Sequence, residues 1–324
     1  MKARKLCVSG WTWLGGCFVL ALSVGICYHL AVAAEGQDMG LEVTMSTPRP
    51  AILRGEPLVL DIHIRNGGDS ALKIYPLNYN LNAVSLRIIV PEGERKVYRP
   101  VMSISFFGRH ELTLAPREVY TYRTLVLYGL LESERRERTG GHVFPTAGEY
   151  SVELTYHPGY RKGLRLEAPP LKVSVQDPQG RDLQAFEIFL AGRVRDFFAQ
   201  DLSQPPEEFE SLAKQYPDTP YGRLAQFYLL RDLSTLLAMQ ADERHKSLAA
   251  LEGLARNAEF PLPDEALLHL GLCYACLERK PEAIAAWEEI GRKFRNSPVA
   301  PQAAKMLEKL GKKAPAPTTQ PATP

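Results

Sequence analysis

Cys273 and Cys276, three residues apart, are the first pair in this sequence whose type and spacing could do chemistry. A C-x-x-C pair becomes a redox centre where it opens a helix after a strand, because the helix dipole then lowers a thiol pKa. Here the pair lies between Leu272 and Leu277, in a run with helical periodicity, so it is expected in a helix interior. Buried small residues, or an incidental disulfide, are the plainer reading. Asp61 and His63 share one face of a strand-like run and could begin a metal site. No third or fourth ligand lies near them in sequence, so they are read as polar residues on the solvent face of a half-exposed strand. The run Glu132-Ser133-Glu134-Arg135-Arg136-Glu137-Arg138 mixes signs ahead of Gly140-Gly141. It reads as a solvated hairpin or loop, with partner docking as the sharper alternative. The chain contains no G-x-S-x-G, H-E-x-x-H or phosphate loop. No catalytic residue, metal ligand or cofactor is therefore assigned.

The cysteine pair sits in the most strongly patterned stretch, residues 264–298. Leu267, Leu270, Gly271 and Tyr274 fall on one helical face, and Ala283, Trp287 and Ile290 repeat the spacing. Glu278 to Pro281 form the turn, and Pro281 suits the first position of the next helix. Gly271 and Ala283 are expected to face each other where the two backbones approach. The pattern resembles a tetratricopeptide repeat (TPR), with Leu267 in place of the usual first aromatic and Pro298 about one turn late. A recurring punctuation supports repetition. Tyr216-Pro217-x2-Pro220, Phe260-Pro261-x-Pro263 and Ser297-Pro298 precede Ala225, Ala266 and Ala303, which are 41 and 37 residues apart. The first and last of these junctions are similar to those of periplasmic tetratricopeptide proteins, including the Tol-associated and outer-membrane-assembly types, whereas the middle one lacks the usual Tyr/Phe-Pro-x-Ser-Pro form. The unit around Met239 to His245 is polar and lengthened. Upstream, Asp182 is expected to cap a helix carrying Phe186, Phe189, Leu190, Val194, Phe197 and Phe198, which is apolar enough to be buried on more than one side. The tail from Ala314 is proline-rich without large apolar residues and reads as disordered.

From Leu41 to Val175 the period is two instead. Leu58, Leu60, Ile62 and Ile64 alternate with Val59, Asp61, His63 and Arg65, and similar runs recur at residues 41–46, 84–90, 119–127, 150–156 and 171–175. About seven short segments of this kind predict antiparallel sheets packed face to face. Arg54-Gly55-Glu56-Pro57 before one strand, and Phe144-Pro145-x2-Gly148-Glu149-Tyr150 before another, resemble bacterial extracytoplasmic immunoglobulin-like domains. That resemblance implies a tyrosine corner, with Tyr150 bonding back to the chain.

Lys2, Arg4 and Lys5 precede an apolar run ending in Ala31-Val32-Ala33, which reads as an export signal, with an uncleaved membrane anchor as the alternative. Without the first 34 residues, 36 Lys and Arg face 37 Asp and Glu, a net charge of −1. That balance, without a basic stripe, gives no support to nucleic-acid binding. Three of the five cysteines, Cys7, Cys17 and Cys27, lie in the leader, so this is not a disulfide framework.

The expected organisation is a multidomain β + α chain. A signal peptide or anchor occupies residues 1–34, an antiparallel immunoglobulin-like β-sandwich 40–177, a short TPR-like α-helical solenoid 181–310, and a disordered tail 311–324. The expected function is a non-catalytic cell-envelope binding or scaffold protein, exported to the periplasm or exterior. It would engage a protein or peptide partner through the helical groove and the sandwich loops. Groove candidates are Leu268, His269, Leu272, Ala275 and Cys276, which could equally pack on a neighbouring helix. An envelope hydrolase or thiol-redox enzyme, or a purely structural envelope protein, remain the other classes.

Overall fold

A computed structural model describes residues 40–75, 77, 83–100, 111–133, 138–159, 164–190, 192–200, 204–231 and 238–312. The leader, His110, the middle of the charged run (134–137) and the tail from 314 lie outside the described residues. Residues 42–324 form one compact unit, so strands and helices are taken together.

The strands are β1 (Leu41–Ser46), β2 (Ala51–Leu53), β3 (Leu58–Asn66), β4 (Leu72–Ile74), β5 (Val84–Ile89), β6 (Arg95–Pro100) and β7 (Leu112–Leu114), followed by β8 (Val119–Val126), β9 (Tyr128–Ser133), β10 (Arg138–His142), β11 (Gly148–Tyr156), β12 (Leu166–Glu167) and β13 (Leu171–Gln176). They make a small sheet in the order β1-β3-β8, a large one in the order β10-β9-β6-β5-β11-β13-β2 with β12 on β11, and a β4-β7 pair. β2 joins β13 in parallel, whereas β11 lies antiparallel to both β5 and β13. Each segment with a period of two became a strand, and the alternation of burial is clearest in β5. Leu58, Leu60, Ile62 and Ile64 are fully enclosed, as are Leu86 and Ile88 of β5 and Val152 of β11. β6 and the β9–β10 hairpin carry charges or glycines in place of alternation, so periodicity does not reveal them. The chain passes from the small sheet to the large one at Leu127, between β8 and β9, a bend that lets one strand serve two sheets. Tyr150 donates from its hydroxyl to the Thr146 carbonyl at 2.9 Å, closing the corner expected for it.

The helices are α1 (Arg181–Phe189), α2 (Gly192–Gln200), α3 (Glu207–Gln215), α4 (Pro220–Leu230), α5 (Ala241–Arg256), α6 (Pro263–Cys276), α7 (Lys280–Lys293) and α8 (Ala300–Lys309). From α3 onward each of these helices packs on the next. The Phe186–Phe198 segment is two helices, not one, and Gly180 occupies the N-cap. Asp182 sits within the first turn instead, where its charge favours the positive end of the dipole. The junction residues have clear mechanical roles. Thr219 caps α4 by accepting from the Gly222 N–H at 3.0 Å, and the Ser297 hydroxyl bonds the Asp264 carboxylate at the start of α6.

Where Gly271 and Ala283 were expected to face each other, the atoms nearest to a side chain at Gly271 belong to Trp287, one turn on from Ala283. A β-carbon on Gly271 would sit 2.3 Å from the Trp287 indole nitrogen, so the missing side chain accommodates that ring. The indole N–H in turn points to the Leu268 carbonyl at 3.4 Å. Ala283 is also fully buried, one turn from Trp287 in α7. Among the described residues no helix is long and apolar enough to cross a membrane.

Candidate functional site

The face of β3 carrying Val59 and Asp61 was expected to meet solvent. It is covered instead. Val59 joins the core of the helices, together with Leu127, Tyr128, Phe186, Phe189 and Phe209. The alternation set the two faces of the strand correctly, but the helical half lies over the outer one.

Arg54-Gly55-Glu56-Pro57 is the turn on which the helices dock. The Arg54 guanidinium lies 5.0 Å from the centre of the Phe186 ring, and the Arg54 carbonyl accepts from the Tyr221 hydroxyl at 2.6 Å. Gly55 has φ +89°, and a β-carbon there would come within 2.4 Å of Phe186, so both backbone and neighbour demand glycine. Glu56 is buried, accepts from the Leu53 N–H at 2.7 Å and pairs with Arg49 at 2.8 Å. Burial raises its pKa, and the opposing pull of Arg49 does not cancel this. Arg49 also donates to the Glu259 carbonyl, tying β1's end to the loop before α6.

Further along the same face, Asp61 is opposite Arg123 of β8 in the antiparallel register. The guanidinium grips Asp61 with two bonds, at 2.7 and 2.9 Å, and reaches Asp264 of α6 at 2.8 Å and Glu265 at 3.3 Å. Burial works against the Arg123 cation, but bonds to Asp61 and Asp264 outweigh it and raise its pKa. Burial also raises the pKa of Glu265, against Arg123. Asp61 therefore anchors the β region to the helices. His63, beyond it, is held by Thr121 and Ser46 at 3.0 Å each. Among the described residues no three His, Cys, Asp or Glu side chains are grouped to hold a metal.

The groove candidates share α6 but not an environment. Leu268 is buried in the core. His269 is half-buried, its ring 5.9 Å from that of Phe227, and burial next to Arg231 lowers its pKa. Leu272 and Ala275 are half-covered and Cys276 is exposed. Cys273 and Cys276 are both free thiols within the helix, and burial pushes the Cys273 thiol up to about 11, the opposite of a reactive pair.

None of these lines the cavity of about 140 Å³ that opens where sheet and helices meet. β6 contributes Tyr98, β8 and its bend Leu125 and Leu127, and β9 Tyr128. α2 contributes Phe197 and Phe198, and the end of α4 Tyr228 and Arg231. The Tyr98 hydroxyl donates to the Tyr128 carbonyl at 3.2 Å, and the Tyr128 hydroxyl meets His142 Nε2 at 2.8 Å. Both tyrosines thus turn their hydroxyls to protein and leave ring surface as wall. Burial, with Arg54 nearby, pushes His142 down to about 4. The Arg231 charge also acts on His269 and Glu265 of α6. The sequence flagged Phe197 and Phe198 as unusually apolar, but nothing local marks Tyr98, Arg123 or Arg231.

No family model matches the chain, and no curated protein does. Among solved structures, a β-glucosidase from Listeria innocua is 12% identical over 42% of this chain and 16% of its own, with a TM-score of 0.24. The chain thus spans about a sixth of that enzyme's length. The CARDB domain of a Pyrococcus furiosus protein, in complex with di-metal ions, is 13% identical over 42% of this chain and 87% of its own, with a TM-score of 0.21. The sporulation control protein Spo0M from Bacillus subtilis is 15% identical over 46% and 54%, with a TM-score of 0.26. These overlaps are too partial to transfer a residue role.

Proposed function

We propose that this chain is a non-catalytic binding or scaffold protein of the cell envelope that engages a peptide or protein partner. In this reading an immunoglobulin-like sandwich and TPR-like helices act as one rigid body. The observation that carries it is the cavity at their seam, with walls from β6, β8 and β9 on one side and from α2 and the end of α4 on the other. Clefts lined by aromatic side chains with few charged groups, at the joint of two substructures, are the usual form of a binding site. The buried Arg123 cluster supports the reading further, because it fixes both walls and lowers the ordering cost of binding. The patterned α6–α7 pair and the capped junctions support the repeat assignment, and the Tyr150 corner supports the immunoglobulin-like one. Export rests on the leader.

The test is capture from envelope extracts by the chain lacking residues 1–34, compared with its Cys276→Arg and Arg231→Met variants. A partner retained by the parent and lost from both variants is expected. Capture that ignores both substitutions refutes the site and favours a purely structural role. N-terminal sequencing of the exported product should begin near Ala34 or Glu35, and an intact Met1 in the membrane would favour the anchor.

A further inference from the structure

The cavity has a chemical bias that names a class of ligand. Pro100, Leu125, Leu127 and five aromatic side chains build its lining, Arg231 is the charged side chain among them, and the surface left open is at least as much polar as apolar. The guanidinium carbon stands over the Tyr228 ring, 4.2 Å from its centre. Among the described residues no carboxylate forms an ion pair with Arg231. Glu265 lies close enough to feel its charge but is bonded to Arg123 at 3.3 Å. A volume near 140 Å³ is that of a single ring, since cavities of about 150 Å³ accept benzene.

We propose that this cavity takes the C-terminal residue of a peptide, with a large apolar or aromatic side chain between Phe198 and Leu125 and the α-carboxylate on Arg231. A planar guanidinium placed over an aromatic ring is well suited to bidentate capture of a carboxylate. A phosphate is disfavoured there. Arg231 is the C-cap of α4, so the negative end of the helix dipole and the Glu265 charge oppose any anion there, a dianion about twice as strongly as a single carboxylate. This inference rests on the peptide-binding reading above and specifies which part of the peptide is read.

The experiment uses the chain from residue 35 onward and three fluorescently labelled hexapeptides. One ends in Phe with a free carboxylate, one has the same sequence amidated, and one ends in Asp with a free carboxylate. N-acetylphenylalanine serves as an unlabelled competitor. The free Phe peptide should bind, and amidation should weaken it about ten- to a hundred-fold, the usual worth of a charge-assisted hydrogen bond. Arg231→Met should weaken the free peptide by the same factor, leave the amidated peptide unchanged and keep the parental thermal midpoint. Arg231→Lys should recover only part of the loss. Equal affinity of free and amidated peptides overturns the carboxylate assignment while leaving peptide binding standing. Competition by N-acetylphenylalanine as strong as by the hexapeptide overturns the peptide source in favour of a small acid. If neither Phe peptide binds while a variant-sensitive partner is captured from extracts, this inference falls and the broader reading survives.

Discussion

Arg123→Met is the most informative single substitution. It keeps much of the side chain's length and removes the charge that joins β3, β8 and α6. Arg123 is 10% exposed, Asp61 15% and Asp264 2%. Removing the cation strands Asp264 with the Ser297 hydroxyl as its remaining side-chain partner, and leaves Asp61 facing Asp264 and Glu265 without a counter-charge. Breaking one side of a buried ion pair costs about 3–5 kcal/mol, mostly because of the charge left behind. In a unit of this size each kcal/mol moves the midpoint by about 2–4 °C, so a fall of about 6–20 °C is expected at pH 7. Thermal and urea unfolding of the chain lacking residues 1–34, followed by Trp287 fluorescence and far-ultraviolet circular dichroism, would read it. Trp287 is then the sole tryptophan and reports from α6–α7. The double variant Arg123→Met/Asp264→Asn should lose about 1–3 kcal/mol less than the sum of the single ones. As a control, Arg117→Met breaks a pair exposed at 62% and 93% and should stay within about 0.5 kcal/mol. The reasoning is refuted if Arg123→Met melts within about 1 °C of the parent, or if its cost simply adds to that of Asp264→Asn. Either result would mean that packing alone holds the helices on the sheet.

Three further outcomes are expected. Gly271→Ala should destabilise by about 1–2 kcal/mol in urea, because overpacking against Trp287 outweighs the roughly 1 kcal/mol that alanine gains over glycine in a helix; an unchanged or raised midpoint would contradict the tight indole contact. The unfolded chain protonates its histidines near 6.5 whereas native His142 waits until about 4, so stability conferred by this group is present above pH 6.5 and lost as pH falls toward 4. His142→Gln should flatten that part of the stability–pH curve, although the raised pKa values of Glu56 and Glu265 act oppositely, favouring the fold as pH drops toward 4.5. In a thiol titration of the chain from residue 35, the exposed Cys276 should react at once and the buried Cys273 only on unfolding; two fast thiols, or none, would contradict the helix-interior placement.

Much of the local structure is determined by the sequence itself. Alternation over Leu58–Asn66 names Leu58, Leu60, Ile62 and Ile64 as turning inward, and all four are fully enclosed, as is Asn66 next on that face. Helical spacing marks Leu267, Leu270, Tyr274, Trp287 and Ile290 as buried. These are short-range facts, because a side chain's face follows from backbone period alone. What covers a face does not. The outer side of β3 reads as solvated until α6, 141 residues beyond Arg123, supplies Asp264 to the same guanidinium. The cavity likewise collects Tyr98, Leu125, Phe197 and Arg231 from four elements with no common spacing. A strand arginine and a helix-end arginine look like ordinary surface charges in sequence, since burial and pairing are properties of the neighbours that folding brings to them. Arg54-Gly55-Glu56-Pro57 shows both levels at once. Its composition announces a turn, and only the tertiary arrangement makes that turn the seat of Phe186 and Tyr221.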